Sequence, residues 1–122
     1  MSTPKTPAMP GPVTVPLSSD IRQAYEDLSA SIETAIETTR DTAVLEALNP
    51  MQGQVDAVLT KDDMYQLEAN TKLFNALQQQ IRDTNRGLQK LQQQIGSIAA
   101  GFSEAGQVLA AVDKVLTLVP GI

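Results

Sequence analysis

Apolar residues recur along this chain in two helical blocks joined by a turn. In the first block, Ile21, Tyr25, Leu28, Ile32, Ala35 or Ile36, Ala43, Ala47 and Leu48 keep a helical period, which predicts a helix over 19–48. Asp20 opens that helix, with Gln23 as its capping partner three residues on. Asn49-Pro50 closes it, because proline lacks a donor and pushes its predecessor to extended geometry; Gly53 completes the turn. Val55, Val58 and Leu59 make a short apolar piece, so 49–59 reads as a turn and a short helix. Thr60 then reads as an N-cap, with Asp62 and Asp63 in the first turn, where carboxylates complement exposed amides. Adjacent helical residues point about 100° apart, which argues against Asp62-Asp63 as a catalytic or metal-binding pair.

The second block carries a heptad. With Leu67 at position a, the a series runs Leu67, Phe74, Ile81, Leu88, Ile95, Phe102, Leu109, Leu116. The d series runs Asn70, Leu77, Thr84, Leu91, Ile98, Ala105, Val112, Val119. Fourteen of these sixteen positions are apolar, and the phase never slips. A straight helix drifts about 20° per heptad, so holding phase this long predicts a supercoiled helix packed on partners. The predicted element is one long helix over 61–118, about 87 Å at roughly 1.5 Å per residue. Its packing or oligomer seam is Leu67, Phe74, Leu77, Ile81, Leu88, Leu91, Ile95, Ile98, Phe102, Leu109, Val112 and Leu116. The motif LQQQI, at 77–81 and 91–95, is the d-to-a step of this seam written twice. Asn70 and Thr84 are its polar members; they either fix register or form a wetter layer.

Positions e and g usually carry the charges that choose partners, yet here only Asp113 is charged. Uncharged flanks favour several packed helices over an isolated pair. Gly96, Gly101 and Gly106 leave the ending open: a break near Gly101 would give a three-helix bundle, and an unbroken rod would need other subunits to cover it. The expected fold is therefore all-α, a helical hairpin or coiled-coil bundle over 19–119, and self-association is the favoured outcome. Lys72, Arg82, Arg86 and Lys90 against Asp83 leave the stretch 72–90 at +3. The first helix has seven carboxylates against Arg22 and Arg40, so the two are expected to lie side by side.

Composition removes whole classes of function. Histidine and cysteine are absent, and with them the commonest general base, metal ligand and thiolate nucleophile. No phosphate-loop, dinucleotide or EF-hand pattern occurs, so no catalytic residue, cofactor or metal is expected. A net charge of −5 opposes general nucleic-acid binding. Membrane contact through 95–119 ranks behind burial in an oligomer: the run is too short to span and lacks flanking basic residues. The opening segment, 1–18, is Pro/Ser/Thr-rich and acid-free, and reads as a disordered tail. It has no apolar run of the kind a Sec signal peptide needs, and no transmembrane helix is apparent, so a cytoplasmic location or a leaderless export route is expected. The Gln, Ala, Ser and Thr content, the lack of Cys and the proline-rich start resemble exported axial proteins such as flagellin termini and type III needle or filament subunits. That resemblance implies a structural subunit of a bundle, ring or filament. The rival expectation is an intracellular coiled-coil adaptor or chaperone-like module for another helical protein. A granule- or membrane-coating protein comes third.

Overall fold

A computed structural model describes residues 16–98 and 104–119, with the side chains of 96–98 outside that description. Among the described residues the chain is all-helical, with four helices and no strand: α1 (Ser19–Thr38), α2 (Thr42–Leu67), α3 (Thr71–Ile98) and α4 (Ala105–Leu118).

The first expected helix, 19–48, is cut ten residues early. Ser18, not Asp20, caps α1 by accepting from the Ile21 amide at 3.3 Å, while Gln23 donates to Asp27 instead of capping. At the other end the Thr38 hydroxyl turns back onto the Thr34 carbonyl at 3.0 Å, and Thr39 leaves in an extended conformation. Asp41 starts the next helix, its carboxylate accepting from the Ala43 amide at 2.8 Å and the Val44 amide at 3.4 Å. A carboxylate cap beside β-branched threonines thus sets the break.

Pro50, expected to end a helix, lies inside α2. Asn49 and Pro50 are exposed, so the carbonyl deprived of its donor is on the wet side of the helix. Interior proline costs about 3 kcal/mol. Leu48, Met51 and Val55 are buried around it, each contributing about 1.5–3 kcal/mol. Packing wins because the inward stripe Val44, Leu48, Met51, Val55, Val58, Asp62, Tyr65 runs through the proline without losing phase. Consequently Thr60, Asp62 and Asp63 are not at a helix start. They lie in the last turns of α2.

The expected single helix over 61–118 is divided. Glu68–Asn70 turns the chain, and the Asn70 side chain caps α3 by accepting from the Leu73 amide at 2.8 Å. α3 and α4 are separate and antiparallel, with Gln92 of α3 donating to Asp113 of α4. The predicted interruption near Gly101 falls in 99–103, outside the described residues, as does the tail 1–15.

The helices form an up-down-up-down bundle. α1 packs on α2 and α4, and α3 packs on α2 and α4, so α1 and α3 occupy one diagonal and point the same way. The short connections 39–41 and 68–70 enforce antiparallel neighbours. The acidic α1 therefore does not lie beside the basic stretch of α3, contrary to expectation. Each helix contributes its own inward stripe: Tyr25, Leu28, Ile32 and Ala35; the α2 series above; Leu77, Ile81, Leu88, Leu91 and Ile95; and Val108, Val112 and Val115. α2 and α3 approach closely at Gly87, where a Cβ would stand 2.7 Å from the Met51 sulfur. Leu17, assigned to the tail by sequence, is buried with the core.

Candidate functional site

The twelve predicted seam residues do not form one continuous seam. Leu77, Ile81, Leu88, Leu91, Ile95 and Val112 are buried in the bundle core. Phe74, Leu109 and Leu116 are half-buried against it. Leu67 is 88 % exposed, because α2 ends on it and the chain turns away. The Ile98 side chain and Phe102 lie outside the described residues. In α4 the inward positions are Val108, Val112 and Val115, which moves the stripe from a/d to d/g. Two of the stripes thus meet as neighbours that the sequence joins end to end.

A charge cluster that sequence reasoning took for a helix cap ties α1 to α2. Asp62 is fully buried. Its Oδ2 accepts from Arg22 Nη1 at 2.7 Å and Gln66 Nε2 at 2.8 Å, and its Oδ1 from the Leu17 amide at 2.9 Å. Arg22 also contacts Asp63 at 2.8 Å and Glu26 at 3.0 Å. Partial burial works against the guanidinium charge, but hydrogen bonds to Asp63, Asp62 and Glu26 outweigh it and push the Arg22 pKa up. Carboxylates near a helix C-terminus are disfavoured by the helix dipole, so Arg22 supplies what the local backbone does not. The arrangement clamps chain direction at Leu17. The signal for it was present: Val58, Asp62 and Tyr65 continue an inward three-four spacing that a capping role ignores.

A second polar layer crosses the middle. The Tyr25 hydroxyl donates to Asn85 Oδ1 at 2.9 Å, joining α1 to α3 across the diagonal. Burial pushes the Tyr25 phenol well above its ordinary pKa. Thr84, fully buried, donates to the Gln54 carbonyl at 3.2 Å and accepts from Gln80 at 3.0 Å. Of the two polar seam positions, Thr84 therefore fixes the pairing of α2 with α3, while Asn70 is an exposed cap. These groups bond helix to helix, and their chemistry is that of alignment.

The outer surfaces divide by sign. α1 carries Asp20, Glu26, Asp27, Glu33 and Glu37 against Arg22, a net of −4. α3 carries Lys72, Arg82, Arg86 and Lys90 against Asp83, a net of +3. Asp20, Asp27, Glu33 and Glu37 are exposed on one side of the bundle, and Lys72, Arg86 and Lys90 on the side diagonally opposite. Among the described residues, no group of three His, Cys, Asp or Glu side chains is placed to hold a metal ion, and no helix is long and apolar enough to cross a membrane. No protein-family model, curated protein or solved structure matches this chain.

Proposed function

We propose that the protein is a non-enzymatic structural subunit that works by assembling with copies of itself. The observation that carries this reading is the placement of opposite charge on the two outward-facing diagonal helices, α1 and α3. The expected assembly seam, the heptad of α3, is spent inside the bundle, so association uses the outer surface instead. The buried polar groups support the non-enzymatic part, since Arg22–Asp62, Tyr25–Asn85 and Thr84–Gln54 each bridge two helices. Export and membership of a filament rest on the compositional resemblance alone.

The test is sedimentation over a concentration series at about 0.01 M salt, where the Debye length is roughly 30 Å. Mass should rise with concentration above the 13.1 kDa of one chain. A single species of 13.1 kDa at every concentration would end the self-assembly reading. The adaptor reading would then lead, favoured by Leu67 at 88 % and Met64 at 46 % exposure near the C-terminal end of α2. The apolar side of α4 packs into the core through Val108, Val112 and Val115, which weighs against a membrane-coating role.

A further inference from the structure

We infer that copies of this chain associate laterally, the α1 face of one docking on the α3 face of the next, into an open row. This rests on the self-assembly reading and adds its geometry.

The two sides are opposite in sign and similar in length. On α1, Asp20, Glu33 and Glu37 are separated by 13 and 4 residues; on α3, Lys72, Arg86 and Lys90 are separated by 14 and 4. At about 1.5 Å per residue these sets extend roughly 26 Å and 27 Å along their helices. α1 and α3 run in the same direction, so a sideways translation without rotation brings the acidic outer side of α1, centred on Glu33 and Glu37, against the basic outer side of α3, with Asp20 about 140° around α1 from Glu33, at the margin of that side. All six are exposed, and among the described residues none of them makes an ion pair within the chain. The exposed carboxylates of α2 are poorer candidates. Asp56 is held by Ser29 and Gln52, Asp63 by Arg22, and Glu46 stands alone.

The symmetry follows from the diagonal. Docking α1 on α1, or α3 on α3, would set like charges together. The α1 and α3 faces are on opposite sides of one bundle, so a pair of copies uses one of each and leaves one of each free. Such a head-to-tail contact does not close after two copies. One helix against one helix is also small beside the roughly 800 Å² per partner of a standard interface, so association is weak and salt-sensitive.

Two variants test this. One neutralises α1 (Asp20→Asn, Glu33→Gln, Glu37→Gln); the other neutralises α3 (Lys72→Gln, Arg86→Gln, Lys90→Gln). Thermal unfolding checks that both remain folded, as substitutions at exposed positions should. At low salt the parent chain is expected to grow past two copies with concentration, and each variant alone to stay at 13.1 kDa. An equimolar mixture retains one complementary pair of faces and should stop at twice 13.1 kDa. About 1 M salt, with a Debye length of roughly 3 Å, should return every sample to single chains. If the variants associate as well as the parent, the interface lies elsewhere and only the lateral docking fails. A mixture that grows past two copies overturns the head-to-tail geometry. A parent chain that never associates overturns this inference together with the reading it rests on.

Discussion

α1 and α3 are the same device inside and opposites outside. Both bury a helical stripe at alternating three- and four-residue spacing, Tyr25–Leu28–Ile32–Ala35 in one and Leu77–Ile81–Thr84–Leu88–Leu91–Ile95 in the other. Both point the same way along the bundle. Their charges differ in sign, a net −4 over α1 and a net +3 over α3. Burial requires the inner likeness, because each stripe must exclude water from a shared core. Nothing in burial requires the outer difference, which is why the outer faces carry the functional proposal and the inner ones the fold.

The inner likeness is broken hardest by a buried charge. Ile81→Asp and Leu28→Asp each place an unpaired carboxylate in the core and should destabilise by about 5 kcal/mol or more, enough to unfold a domain of ordinary stability. Circular dichroism should show loss of helix for both; a folded, cooperative Leu28→Asp variant would show that α1 is not an equal partner in the core. Next comes a feature α1 has and α3 lacks. Asp62→Ala strands the Leu17 amide and takes one of three carboxylates from Arg22, which keeps Asp63 and Glu26, so urea unfolding should register a loss of about 1.5–3 kcal/mol, the range for hydrogen bonds to a charged group. A change below about 0.5 kcal/mol would mean the clamp is incidental.

The smallest effect comes from the bond that joins the two helices. Tyr25→Phe leaves Asn85 Oδ1 without its donor and should cost about 1–3 kcal/mol near neutral pH. The sign with pH is fixed by the raised Tyr25 pKa. Its stabilisation is complete below the unfolded phenol's pKa of about 10 and declines as pH rises above it toward the higher folded value. The gap between parent and variant should therefore narrow in strong base. A gap that widens there would place the phenolate, not the phenol, in the folded protein.

The periodic part of this architecture was legible from the sequence, and the punctuation was not. Leu77 through Ile95 fall where the heptad puts them, since a long amphipathic run leaves one choice of inner face. Heptad phase, however, does not distinguish a helix that continues from one that turns back and resumes. The turn at Glu68–Asn70 preserves phase by chance of length, and Leu67 ends up in water. Pro50 misled in the other direction. A strong local breaker was overruled by tertiary packing on both sides of it. Asp62 was misread because a carboxylate after a threonine is an ordinary cap, and its true partner, Arg22, lies 40 residues away in sequence. The clamp was out of reach of local rules. The charge split between the blocks was visible, but its meaning changed once α1 and α3 proved to be diagonal rather than adjacent.

An even number of passes has a further consequence. Leu17 and Val119 come to the same end of the bundle, beside the turn at Glu68–Asn70 and far from that at Thr39–Asp41. The described chain therefore enters and leaves the bundle at one end. Copies translated sideways without rotation would line up Leu17 and Val119 of every copy along one rim of the row.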